Sequence, residues 1–84
     1  MNIYAIRQIT QDGDCNTSVR IYGEVFRDKA KCSEQMEHIA GVKRAEGFVV
    51  RESRVVPDGL EYILLCQGKY LSINLEMITL HLRE

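Results

Sequence analysis

Along most of this chain apolar residues recur at every second position, and only Asp28 to Gly41 departs from that rule with a helical spacing. Period two marks a half-buried strand and period 3.6 a helix. A chain patterned in this way folds as sheet plus one helix, a single α+β domain. Five strands present two faces, and a helix of about twelve residues hides even one of them only in part. Apolar residues on the remaining sheet then call for a covering partner.

The elements follow in chain order. Asn2 to Thr10 alternates, with Ile3, Ala5 and Ile9 on one side and Tyr4 and Ile6 on the other. Gln11 to Asn16 is a turn cluster in which Gly and Asn accept positive φ and Asp bonds its own backbone. Ser18 to Phe26 alternates again, Val19, Ile21 and Val25 against Tyr22 and Phe26, so the two runs predict an antiparallel hairpin. Asp28 suits a helix N-cap, and Cys32, Met36, Ile39 and Ala40 form one apolar stripe. Gly41 is expected to stop the helix, with His38 near its negative end. Val42 to Glu46 reads as a short basic connector. Gly47 to Val56 reads as a strand with a wet centre at Arg51, Glu52 and Arg54. Pro57-Asp58-Gly59 is a turn, and Leu60 to Cys66, apolar on both sides, suits a central strand. Gln67-Gly68-Lys69 turns back. In Tyr70 to Met77 the residues Leu71, Ile73, Leu75 and Met77 oppose Ser72, Asn74 and Glu76. From Ile78 the apolar phase moves to Ile78, Leu80 and Leu82, which predicts a β-bulge or a second short strand. The order is β-β-α-β-β-β, an antiparallel sheet with one helix on one face. A β-grasp-like arrangement and a meander both fit it.

At 84 residues the chain is long enough for one domain and too short for two. Eleven basic and twelve acidic residues leave a formal charge of -1. That balance speaks against a dedicated nucleic-acid binder and equally against an acidic mimic of DNA. Three cysteines, Cys15, Cys32 and Cys66, with no close pair, do not make a secreted disulfide framework. The opening Met1-Asn2-Ile3-Tyr4 lacks the pattern of a signal peptide, and the longest apolar run, Ile63 to Cys66, is far short of a membrane span. A cytoplasmic protein with reduced thiols is the expectation.

No constellation specifies a reaction. Asp12, Asp14 and Asn16 share the spacing that opens a calcium loop, but Thr17 and Gly23 stand where Gly and a bidentate Glu belong, so a plain turn is the reading. Asn16-Thr17-Ser18 matches a glycosylation acceptor by chance. Cys15, Cys32, Cys66, His38 and His81 do not have the short spacings of structural zinc sites. Cys32 and Cys66 read as small hydrophobes. Cys15 reads as an exposed thiol whose neighbours Asp12 and Asp14 disfavour the reactive thiolate. There is no GxSxG elbow, phosphate-cradling loop or HExxH helix, so an enzyme, a cofactor and a small-molecule substrate are not expected. Basic residues gather as Arg27, Lys29 and Lys31 at the helix start and Lys43 and Arg44 after its end, with Arg51 and Arg54 following. Joined into one patch, they would offer a site for an acidic protein or a nucleic-acid backbone. Tyr4, Tyr22, Tyr62 and Tyr70 add amphipathic contact area.

The segment Val25-Phe26-Arg27-Asp28-Lys29-Ala30-Lys31, after the strand Ile3-Tyr4-Ala5-Ile6, resembles a pattern common in very short phage and mobile-element proteins. There a hairpin ends in an apolar-Phe step and a capped helix begins with alternating Lys. The resemblance covers the first half of the chain and carries over no catalytic residues. It implies action by binding, as in inhibitors of host defence such as anti-CRISPR proteins, or in adaptors. The expected function is a small binding protein acting through protein–protein contact. Its basic residues are set toward a target, and Tyr62, Leu64, Leu71, Ile73, Leu75 and Met77 are set at a dimer or sheet-face contact, with a homodimer expected. The alternative is a nucleic-acid-associated regulator using the basic residues that flank the helix; a small enzyme or redox module ranks below both.

Overall fold

The computed structural model describes residues 1–14, 16–57, 59–68 and 70–81. Among these residues five strands, β1 (Asn2–Asp12), β2 (Thr17–Phe26), β3 (Val49–Val55), β4 (Glu61–Gln67) and β5 (Leu71–His81), form one sheet, and a single helix, α1 (Lys29–Ala45), joins β2 to β3. The sheet order is β2-β1-β5-β4-β3, and every neighbouring pair is antiparallel. β3, β4 and β5 realise the meander. The β1–β2 hairpin joins it through β1–β5, so the first and last strands meet in the middle and β2 and β3 are the edges. The connection through α1 therefore spans the sheet from edge to edge, with the helix over β1, β2, β4 and β5.

The helix is longer than its apolar stripe suggests. Asp28 caps it, its Oδ1 accepting the Ala30 N–H at 2.9 Å. Gly41, expected to end it, lies inside it. The chain leaves the helix at Glu46 and Gly47, where φ is 107°, a value that favours glycine. The stretch from Val42 onward is the last helical turn and not a connector. Lys43 and Arg44, rather than His38, stand at the negative end of the helix dipole. Space explains the difference: an added Cβ at Gly41 would meet only Arg44 Nη2, at 3.8 Å. Nothing forces the chain out of the helix there.

Register assigns the faces, because residues directly opposed in antiparallel strands point to the same side. Ile6 stands against Met77, Ile63 against Leu75 and Leu65 against Ile73. Beneath α1 these six close over Cys32, Met36, Ile39, Ala40 and Phe48, with Tyr4, Tyr22, Phe26, Val50, Leu60 and Leu71 packed at the margin. Ile73, Leu75 and Met77 are 4%, 0% and 2% exposed. They are core under the helix and not dimer contacts, and Leu71 shares their side. Tyr62 and Leu64 point the other way, opposite Glu76 and Asn74.

The change of apolar phase at Met77/Ile78 has no bulge behind it. β5 pairs with β1 in unbroken register from Leu71 to His81. Instead the strand carries apolar residues on both faces in turn, Met77 toward the helix and Ile78 and Leu80 away from it; Leu82 lies outside the described residues. Irregularities occur elsewhere. On β2, Tyr22, Gly23 and Glu24 stand against Ile6 alone, and Arg51 is an extra residue on β3 between Val50 and Glu52.

Candidate functional site

The helix-free face of the sheet is built by Val19, Ile21 and Val25 from β2 and by Ile3, Ala5, Arg7 and Ile9 from β1. β5 adds Asn74, Glu76, Ile78 and Leu80, β4 adds Tyr62, Leu64 and Cys66, and β3 adds Val49, Glu52 and Arg54. Its polar centre is a cross-strand pair. Arg7 Nε donates to Glu76 Oε2 at 2.9 Å, Nη2 donates to the same oxygen, and Asn74 Nδ2 donates to Oε1 at 3.1 Å. Asn74 Oδ1 is buried and has no hydrogen-bond partner among the described residues. Apolar zones flank this centre: Val25, Ile78 and Leu80 at one end, beside the buried Ile3 and Ala5, and Ile9, Val19 and Ile21 at the other.

The hairpin end of the face carries the strongest signal. There the helix-facing positions are polar, Gln8, Thr10, Ser18 and Arg20, while Ile9, Val19 and Ile21 turn away from the helix. The strand geometry accounts for it. An eleven-residue strand such as β1 is about 36 Å long, and the seventeen-residue helix about 25 Å. The hairpin overhangs the domain's own core, and its apolar side is the one the domain does not cover. Val19, Ile21 and Val25 are 61%, 59% and 52% exposed.

The basic residues expected to form a patch are dispersed. Lys29 and Lys43 are about 21 Å apart along the helix axis. Lys29 Nζ lies 5.8 Å from the Tyr4 ring centre, and Arg27 and Lys31 are exposed at the same end. Lys43 pairs with Glu46 at 3.6 Å, Arg44 with Glu37 at 4.0 Å and Arg54 with Glu52 at 3.5 Å. Arg54 also lies 5.2 Å over the Tyr62 ring on the helix-free face, while Arg51 sits in the β3 bulge. Burial first, and then the Glu52 carboxylate, raise the Tyr62 hydroxyl pKa from its ordinary value.

The remaining candidate groups are structural in their contacts. Asp12 Oδ1 accepts the N–H groups of Asp14 and Asn16 at 2.9 and 3.0 Å, and Oδ2 accepts Asn16 Nδ2 at 3.2 Å. Asn16's backbone and side chain hold the Asp12 carboxyl below its usual range, so this carboxylate closes the hairpin turn. Cys15 lies outside the described residues. Burial, reinforced by Glu61, pushes the Cys32 thiol up to about 11, the condition of an inert core thiol. Among the described residues no three His, Cys, Asp or Glu side chains gather as a metal site. No helix among them is long and apolar enough to cross a membrane. Where the β4–β5 ladder ends at Tyr62–Glu76, a cleft of about 210 Å³ opens, lined by residues including Arg7, Leu60, Tyr62 and Ile78. It is smaller than the usual ligand pocket of roughly 300–1,000 Å³.

In comparison with known proteins, no family model, no curated protein and no solved structure matches the chain. The site therefore stands on its own geometry. Alternation in the sequence placed Val19, Ile21 and Val25 on one side of their strand. That this side is the helix-free one follows only from the strand order.

Proposed function

We propose that this chain acts by binding, through protein–protein contact on the helix-free face of its sheet. One observation carries the reading: at the turn end of the β1–β2 hairpin the apolar residues Ile9, Val19 and Ile21 face away from α1 and from the core. Exposed apolar patches of this kind mark interaction surfaces. The size is sufficient. Five strands at about 4.8 Å and ten residues at about 3.3 Å give a face of about 800 Å², the area one partner contributes to a standard interface. The Arg7–Glu76 pair at its centre supplies a charged landmark for orientation, with apolar zones to either side. Together with the likeness of Val25–Lys31 to short phage proteins, this favours an accessory protein that inhibits or redirects a larger machine in the cytoplasm.

Capture from a lysate of the source cell tests the reading, using wild type, a sheet-face variant (Ile9→Asp with Leu80→Asp) and a helix-surface variant (Lys31→Glu with Glu34→Lys). The expected result is a protein retained by wild type and the helix variant and lost by the sheet-face variant, each variant being folded by circular dichroism. Retention by the sheet-face variant, or capture of nothing by wild type, refutes it.

A further inference from the structure

We infer that two copies of this chain join through β2, edge to edge and antiparallel about a two-fold axis at Tyr22, into one ten-stranded sheet. The hydrogen-bonding direction of β2 is set by its turn. Asp12 N–H donates to the Asn16 carbonyl at 3.1 Å, so Asp12 and Asn16 are a hydrogen-bonded pair of the ladder. Hydrogen-bonded and non-bonded pairs alternate in an antiparallel ladder. Ser18 and Arg20 accordingly turn their backbone groups toward β1, and Val19 and Ile21 turn theirs outward. The two residues inserted at the bulge keep the parity, so Val25 points outward as well. The bulge, three residues against Ile6, leaves further backbone groups of that stretch outside the β1 ladder.

Such a strand invites pairing, and proteins guard edges that must stay single. The opposite edge is shorter: β3 is a seven-residue strand, bulged at Arg51 as β2 is at Tyr22–Glu24, and its Glu52 and Arg54 already pair with each other. β2 has ten residues, is exposed along most of its length, and bears three exposed apolar β-branched side chains, Val19, Ile21 and Val25.

The occupant is specified by charge. An axis at Tyr22 sets Arg20 opposite the partner's Glu24 and Glu24 opposite the partner's Arg20. On the other face Val19 meets the partner's Val25, and Ile21 meets the partner's Gly23. Val19 and Val25 are outward-pointing on both copies, so that pair exchanges two backbone hydrogen bonds on each side of the axis. Arg20 and Glu24 make no ion pair within the chain among the described residues; Arg20 only lies 4.5 Å over the Tyr22 ring. Moving the axis to Arg20 sets two guanidinium groups face to face, and like charges directly opposed are unfavourable. An arrangement that satisfies both charges twice is a property of the strand against itself, and a foreign strand would match it only by coincidence. The dimer also makes the two helix-free faces continuous, yet it stands apart from the reading of that face as a target contact.

Charge swapping tests it by sedimentation equilibrium and native mass spectrometry. Wild type is expected to be a dimer at micromolar concentration. Arg20→Glu alone sets Glu against Glu at both pairs, and Glu24→Arg alone sets Arg against Arg, so each raises the dimer dissociation constant at least tenfold and runs as a monomer. An equimolar mixture of the two restores both opposite-charge pairs and is expected to form the mixed dimer. Both positions are solvent-exposed, so unchanged circular dichroism is expected for each variant. A monomeric wild type, variants that self-associate as well as wild type, or a mixture that stays monomeric would each overturn the inference. A wild type that dimerises but captures nothing refutes the face reading alone, and a wild type that captures its target as a monomer refutes this one alone.

Discussion

Replacing Gly41 by Ala decides between two helices that the sequence allows, because the sign of the effect differs. In the structure Gly41 is a helix-interior residue with ordinary φ, and the added Cβ would find only Arg44 Nη2 at 3.8 Å, a normal contact. Glycine in a helix interior is less favourable than alanine by about 0.8–1.0 kcal/mol. Gly41→Ala should therefore stabilise the fold by about 1 kcal/mol, roughly 4–8 °C in Tm for a domain of this size. Gly47→Ala is the matched control. There φ is 107° and the new Cβ would lie 3.1 Å from Gln67 Nε2, so the substitution should destabilise by about 1–2 kcal/mol, the cost of left-handed backbone. Thermal unfolding followed at 222 nm, with all proteins at one concentration because self-association couples to Tm, reads both. A Tm lowered by Gly41→Ala would show that the helix ends there after all. The account of a seventeen-residue helix, and of how much sheet it covers, would then fail.

Four further outcomes follow from the same structure. Leu75→Ala empties a fully buried position beneath α1 and should cost about 2–5 kcal/mol in urea unfolding. Leu64→Ala, on the half-buried helix-free face, should cost less than about 1.5 kcal/mol, and equal losses would contradict the assignment of faces. The Cys32 thiol should resist alkylation in the native protein while Cys66, half-buried on the other face, reacts; peptide mass mapping reads both. The folded thiol's pKa of about 11 lies above its ordinary 9.0, so its contribution is intact below pH 9 and is lost as pH climbs toward 11. Cys32→Ala should flatten that alkaline fall. Asp28→Ala removes the bond to the Ala30 N–H and should cost about 1 kcal/mol, visible as a lower urea midpoint; an unchanged midpoint would refute the cap.

Much of the fold was legible in the residues themselves, because local rules act over short spans. Alternation located five strands, the stripe Cys32, Met36, Ile39 and Ala40 located the helix and its buried side, and Asp28 announced its start. Alternation says which residues share a side without saying which side is covered. Leu75 and Val19 look alike in sequence, one apolar residue between polar neighbours. One is fully buried and the other 61% exposed, because Leu75 points toward the helix and Val19 toward the helix-free face. Gly41 failed as a stop signal since glycine permits left-handed backbone without requiring it. The apolar change at Met77/Ile78 mimicked a bulge because two separate apolar zones, one on each face, meet along one regular strand.

What the amino-acid order determined alone was the kind and sequence of the elements, since strand and helix periodicities are properties of neighbours a few positions apart. The tertiary structure decided the rest: β1 beside β5, β2 and β3 at the edges, basic residues scattered to opposite ends, and an apolar hairpin side facing solvent. Those outcomes depend on strand order and on the length of a helix relative to the sheet it crosses. Both arise from contacts between residues far apart in the chain, and no local pattern records them.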